Sequence, residues 1–166
     1  MRIMGIDPGY AIVGYGFLDY NGNSFSVVNF GAVTTPADMP FERRLLAIYD
    51  DIRTLLQCYK PDVVSIEKLF FNTNQKTGID VAQARGVTLL PIIQAGVPFY
   101  EYTPLQVKSS ITGYGRAEKQ QVQELVRTIL HLKEVPKPDD TADAVALAIT
   151  HAYSVNTRRI MAQADR

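Results

Sequence analysis

Arg2-Ile3-Met4-Gly5-Ile6-Asp7-Pro8-Gly9 constrains what this chain can fold into more than any other stretch. Ile3, Met4 and Ile6 form a short continuous apolar run, the pattern of a strand buried on both faces in the middle of a sheet. Pro8 has no amide hydrogen to give to a ladder and Gly9 tolerates positive φ, so the strand ends there. Asp7 is thereby placed at the carboxyl end of a central strand, where open α/β sheets put their chemistry. A carboxylate buried at such a place needs a cation or hydrogen-bond donors. The competing structural explanation is an Asx-type turn, with Asp7 bonding the amides beyond Pro8.

The rest of the chain supplies the layers around that strand. Val13 to Tyr20 and Ser24 to Thr34 read as strands joined by Asn21-Gly22-Asn23, and with the first strand they predict an antiparallel meander. Pro36 and Pro40 break the pattern, and Pro40 suits the first turn of a helix. Leu45, Tyr49, Ile52, Leu56 and Tyr59 then recur at spacings of four and three, an amphipathic helix. Pro61 to Glu67, with Val63, Val64 and Ile66, predicts a second buried strand that also ends in a carboxylate, reached by a crossover beside the first. Phe70 and Phe71 follow in a loop, either tucked under the sheet or free to stack on bases. Gln75 to Ala95 is a helix that Pro91 should kink or end, and Phe99 to Thr103 is a fifth strand. Three further helices are expected over Leu105 to Ile111, Ala117 to Leu132 and Asp140 to Tyr153. The glycine pairs of Gly14-Tyr15-Gly16 and Gly113-Tyr114-Gly115 lack a dinucleotide-binding context and read as turns or close-approach positions. The expected architecture is α/β: a five-stranded mixed sheet flanked by helices, one domain over residues 1–166, with about ten mobile residues at the C-terminus.

Charge and cysteine content narrow the function classes. Seventeen basic residues balance 17 acidic ones, so a polyanionic partner has to be held by a local patch and not by the field of the whole molecule. Pro104 to Lys133 offers such a patch, with Lys108, Arg116, Lys119, Arg127 and Lys133 against two acidic residues, although a solvated helix face would look the same. Arg158, Arg159 and Arg166 can add phosphate contacts or form a mobile tail. Cys58 is the single cysteine, which excludes an intramolecular disulfide, fits a reducing cytoplasm and reads as a small buried residue near a helix end. No apolar run approaches a membrane span and the N-terminus lacks signal-peptide regions, so the chain is expected in the cytoplasm, away from the membrane.

The acidic residues carry the chemistry. Asp140 and Asp143 stand three apart in the first turn of the last helix, with Asp139 the better capping residue. Ala142, Ala144 and Ala146 predict that this turn packs tightly over the strand ends, bringing two helix-borne carboxylates toward Asp7 and Glu67. Four carboxylates at close range repel and call for hard divalent cations with oxygen ligands. His131 and His151 show no transition-metal spacing, so Mg²⁺ is expected and zinc is not.

These stretches, taken together, resemble a known family. Gly5-Ile6-Asp7-Pro8-Gly9, Ile66-Glu67 followed by Phe70, Ala82-Gln83-Ala84-Arg85-Gly86, Gln106-Val107-Lys108, Ala117-Glu118-Lys119 and Asp140-Thr141-Ala142-Asp143-Ala144 occur in the order seen in the RuvC family of bacterial crossover-junction endonucleases. The resemblance covers essentially the whole chain. It implies a ribonuclease-H-like fold, a homodimer, and metal-dependent nicking of two strands of like polarity in a four-way (Holliday) DNA junction. It further implies two Mg²⁺ per active site, with Mn²⁺ able to substitute, and partnership with the branch-migration complex of RuvA and RuvB. By that resemblance Asp7, Glu67, Asp140 and Asp143 are the catalytic and metal-holding acids, Lys108 and Lys119 contact DNA, and Phe70 stacks at the junction; the basic patch adds Arg116 as a DNA-binding candidate. Lys68 departs from the uncharged residue expected after the glutamate. The alternatives are a nuclease for structured RNA, a non-catalytic junction-binding protein, or an actin-like ATPase lobe, which would need a second phosphate loop that the chain does not show.

Overall fold

Strand β1 (Arg2–Asp7) lies at the centre of a five-stranded sheet in a computed structural model that describes residues 1–69 and 75–164. On one side β2 (Ile12–Tyr20) and β3 (Phe25–Thr34) complete an antiparallel meander. On the other, β4 (Val63–Glu67) and β5 (Phe99–Tyr102) add in parallel, giving the order β3-β2-β1-β4-β5. The Asn-Gly turn forms as the sequence predicts. Asn21 Oδ1 accepts from the amides of Asn23 and Ser24 at 3.0 and 2.9 Å, and Gly22 takes φ 102°.

Alternation along the strands sorts side chains onto two faces. Met4, Ile6, Val13, Phe17, Val64 and Ile66 meet α1 (Phe41–Tyr59) and α2 (Gln75–Gln94), which contribute Ile48, Ile52, Leu56, Ala84 and Ile92. Ile3, Leu18, Tyr20 and Val63 face α3 (Pro104–Thr112), α4 (Lys119–Ile129) and α5 (Asp139–Ala164), through Ile111, Val122, Val126, Val145 and Ile149. Helix α3 opens on a reciprocal cap, Thr103 with Gln106, and has Pro104 in its first turn.

Several local expectations are corrected. The helix expected over Gln75 to Ala95 is present, but Pro91 does not end it: α2 runs on to Gln94. Proline removes its own donor, but its carbonyl still accepts from the Ala95 amide at 3.0 Å, and Pro91 and Ile92 are buried in the packed last turn. Cys58 is exposed, because α1 turns Ile48, Ile52 and Leu56 inward and position 58 falls on the other side. Helix α4 begins at Lys119 and not Ala117, with the Gln121 side chain accepting from the Glu118 amide at 3.1 Å. Helix α5 continues to Ala164, well past Tyr153, since a helix already nucleated on a buried face propagates through polar residues at little cost.

Candidate active site

The same alternation that buries Met4 and Ile6 on the α1–α2 face sends Gly5 and Asp7 to the α5 face. Along β4, Ser65 and Glu67 follow the same rule. Parallel register pairs Ile6 with Ile66, so the two strands finish side by side, each on a half-buried carboxylate. Helix α5 lies unusually close on these strands. A Cβ on Gly5 would collide with the Ala144 carbonyl, and one on Gly14, the β2 partner of Asp7, with the Asp140 carbonyl. A Cβ on Gly16 would come within 2.6 Å of Val145 Cγ2. The reading of Gly14 and Gly16 as close-approach positions is thus what the structure has. Ser65 Oγ fastens the helix further, donating to the Leu147 carbonyl at 2.7 Å in a buried hydrogen bond. The first turn of α5 is therefore delivered onto the ends of β1 and β4 by absent side chains.

Asp7, Glu67 and Asp143 are each displaced upward by these surroundings. Burial, and then the charges of Glu67, Asp143 and Asp140, push the Asp7 carboxyl up to about 8, with Lys119 working against them. Glu67 is raised by burial and by Asp143, against a hydrogen bond with Asp7 and the charge of Lys119. Asp143 is raised by burial, opposed by its bond to Lys119. Asp139 behaves in the opposite way. It is exposed, and the hydrogen bond from Lys137, at 3.2 Å, holds it below the usual carboxylate range. It sits inside the helix as the first residue of α5, with its carboxylate given to lysines, which corrects its reading as a pure cap.

Two of the predicted basic residues stand at the acids. Lys119 Nζ lies 2.8 Å from Asp143 Oδ2 and 3.6 Å from Asp139 Oδ2. Burial disfavours this ammonium, but the bond to Asp143 and the neighbouring carboxylates outweigh it and raise its pKa. Lys108 and Lys119 both line a cleft of about 210 Å³ with Glu67, Asp143 and the apolar side chains of Val107, Val122 and Leu147. Arg116 is exposed in the turn between α3 and α4, outside that lining. Phe70 and Phe71 fall outside the described residues, as does Arg166, and Arg158 and Arg159 are described only as part of the α5 backbone.

The donor set suits a hard divalent ion. Every ligating candidate is a carboxylate, and the two imidazoles are elsewhere: His151 is buried with Nδ1 2.9 Å from the Tyr102 hydroxyl, and His131 is exposed in the turn after α4. Among the described residues no three His, Cys, Asp or Glu side chains are gathered tightly enough to hold an ion as they stand. Asp143 is paired with Lys119 Nζ at 2.8 Å. Sequence reasoning missed this Lys119–Asp143 pair, and it missed Arg85, whose Nε lies 3.4 Å from the Glu67 carbonyl. The motif Ala82-Gln83-Ala84-Arg85-Gly86 was the available signal for the second.

Known proteins resemble this chain over nearly its whole length. The family model described as crossover junction endodeoxyribonuclease RuvC matches residues 3–151. A RuvC of Clostridioides difficile is 58% identical over 154 residues, covering 93% of this chain and 91% of that protein. A RuvC of Ruminiclostridium cellulolyticum is 54% identical, with 93% of each chain covered. Among solved structures, Thermus thermophilus RuvC superposes with a TM-score of 0.87 at 35% identity, over 95% of this chain and 96% of that one. The same protein in complex with a Holliday junction substrate gives 0.86 at 33% identity, with the same shares covered. The chain belongs to the RuvC family of crossover junction endodeoxyribonucleases, which are metal-dependent nucleases.

Proposed function

We propose that this chain resolves four-way DNA junctions by paired, symmetric hydrolytic nicks in strands of like polarity, in recombination and repair. The observation that carries the reading is the gathering of Asp7, Glu67, Asp140 and Asp143 where α5 crosses the ends of β1 and β4, with Asp7 pushed up to about 8. Hydrolysis forms a bond from water oxygen to phosphorus and breaks one bridging P–O bond. The four acids would hold two Mg²⁺, or Mn²⁺ in their place. Bound there, such ions lower the pKa of the attacking water and stabilise the leaving oxygen. Lys108 and Lys119, in the same cleft, would receive phosphate oxygens, with Arg116 extending the basic rim. Phe70, just past Glu67 in sequence, would stack on an unpaired base at the crossover, worth roughly 1–3 kcal/mol.

Two like nicks call for two like sites, and we take the working species to be a homodimer. Helix α2 supports this with an exposed apolar stripe of Ile79, Leu90 and Ile93, and Gly86 on the same stripe has open space above its Cα. The branch-migration complex of RuvA and RuvB is the proposed partner, and the cytoplasm the proposed compartment. No helix among the described residues is long and apolar enough to cross a membrane.

The deciding experiment incubates the protein with Mg²⁺ and a mobile four-way junction, beside linear duplex and structured RNA. Symmetric nicks in the junction alone are expected. Equal cutting of RNA would move the reading to a structured-RNA nuclease, and binding without cutting would make the chain a junction-binding protein.

A further inference from the structure

The carbonyl of Glu67 lacks the partner that a parallel sheet would ordinarily give it. On β4 the amides of Val64 and Lys68 donate toward β5, to the carbonyls of Pro98 and Tyr102, both at 2.9 Å. Alternation turns the Glu67 backbone the other way, toward β1. Extending the register from Ile6 and Ile66 by one sets Asp7 opposite Glu67, so the residue in line to donate to the Glu67 carbonyl is Pro8. Proline has no amide hydrogen to donate. A guanidinium stands there instead: Arg85 Nε, from α2, lies 3.4 Å from that carbonyl, while Arg85 Nη2 pairs with Glu101 on β5. The Arg85 side chain is 16% exposed and Glu101 39%, so in this latch the bond to the Glu67 carbonyl is the more sheltered of the two and the pair with Glu101 meets solvent.

We propose that Arg85, oriented by Glu101, is a positioning residue that fixes the end of β4 and thereby aims the Glu67 carboxylate at Asp7 and Asp143. The inference rests on Glu67 holding metal, as proposed above. Its physical basis is the fork of the guanidinium, which serves two acceptors in different directions, a carbonyl on β4 and a carboxylate on β5. A lysine at 85 would keep the charge pair with Glu101 and lose the second bond. The latch also joins α2 to the site, and α2 carries the exposed apolar stripe on another face. Small displacements matter here, because ligands or reacting groups misplaced by about 1 Å can lower rates on the order of a hundredfold.

The test measures two quantities in wild type, Arg85→Lys, Arg85→Ala and Glu101→Gln: the Mg²⁺ concentration for half-maximal junction nicking, and the rise in Tm that Mg²⁺ gives the DNA-free protein. Arg85→Ala should need about tenfold more Mg²⁺ and show a smaller Mg²⁺-induced rise, with junction affinity in Ca²⁺ unchanged. Arg85→Lys should fall between it and wild type, and Glu101→Gln should shift the same way by less. If Arg85→Ala does not fold, Glu101→Gln carries the test. Variants that melt earlier but saturate at the wild-type Mg²⁺ concentration overturn the positioning role and leave Arg85 a packing residue. A wild type that cuts no junction and gains nothing from Mg²⁺ overturns the functional reading itself, and this inference with it.

Discussion

The two faces of the sheet are packed by different means. On the α1–α2 face, helices rest on long side chains: Phe17 stacks on Tyr59 with ring centroids 4.5 Å apart, and Met4, Ile6 and Ile66 meet Ile48, Ile52 and Leu56. On the other face, α5 meets β1 and β2 through Gly5, Gly14 and Gly16, with alanines at 142, 144, 146 and 148 on its own side. Side-chain spacers forgive small volume changes, because neighbouring rotamers can adjust. Backbone against backbone has nothing to adjust. The difference teaches how an ordinary α/β sheet can hold like charges together: the helix that bears Asp140 and Asp143 is pinned at a distance fixed by main chain.

The sharpest way to break this comparison is at the charge itself. On the proposed reading Asp7→Asn removes a metal-holding charge and should lower junction nicking by at least about a hundredfold while leaving junction affinity largely intact. Glu67→Gln and Asp143→Asn should act alike. Near-normal nicking by Asp7→Asn would take Asp7 out of the site. The same variant makes a prediction about stability with a definite sign. Asp7 has a folded value of about 8 against 3.8 unfolded, so its contribution is fully favourable below 3.8 and is lost as pH rises to 8. In metal-free buffer Asp7→Asn should therefore melt higher than wild type, by a margin that widens from pH 4 to pH 8 and then levels. Thermal melts across that range check it, and a margin independent of pH would mean that Asp7 carries no such burden.

Next in size are substitutions that test the faces against each other. Gly14→Ala places a Cβ against the Asp140 carbonyl and should cost about 1–3 kcal/mol, by forcing α5 off the sheet. Nicking should fall as well, since Asp140 and Asp143 move with the helix. Ile52→Val on the opposite face should cost a comparable 0.5–1.5 kcal/mol, roughly, yet leave nicking near wild type well below its Tm. If both variants lose stability and activity in the same proportion, the faces are equivalent and the pinning argument fails.

How much of this was legible in the sequence follows from the range of the interactions. Strands, meander and parallel crossover were readable because alternation, Asn-Gly and apolar runs are local signals. The acids at 7 and 67 were readable for the same reason: each ends an apolar run, and a strand end is a place defined by its own neighbours. The close seat of α5 was half legible, from its alanines, while the glycines opposite them gained meaning only once β1 and β2 were paired. The Lys119–Asp143 pair and the Arg85–Glu101 latch were not legible, since each joins segments more than a dozen residues apart through the relative placement of a helix. The span of α2 was legible despite Pro91, whereas the length of α5 was not, as tertiary packing extended that helix beyond its apolar pattern.

Lysine substitutions come next. Lys108→Ala and Lys119→Ala should each flatten the salt dependence of junction binding by about one counterion, if both meet phosphate. Lys119→Ala should in addition change the metal-free protein, because it strips Asp143 of the cation 2.8 Å away. Lys108 should show the salt effect alone. Titrating junction affinity against salt for both variants separates a phosphate contact, which moves the slope, from a role at the acids, which moves rate with the slope unchanged.

The smallest effect belongs to Asp139, and it completes the contrast. Asp139 and Asp143 stand one turn apart on α5 and share Lys119, yet burial raises one and the Lys137 hydrogen bond lowers the other. Asp139 is a solvent-facing ion pair, and Asp139→Ala should cost about 0.2–1 kcal/mol with nicking unchanged. The pH sign is the reverse of that at Asp7. A lowered carboxylate contributes above its unfolded value of 3.8, and that contribution is lost as pH falls through the folded value. The small deficit of Asp139→Ala should thus be visible at pH 7 and disappear in acid, where the Asp7→Asn margin also shrinks away. Added salt should erase it too, while leaving the Asp7 effect, which is buried, largely in place. Should Asp139→Ala abolish nicking while Asp140→Ala does not, the turn at the start of α5 presents its acids to the strand ends one residue earlier than the proposed reading has it.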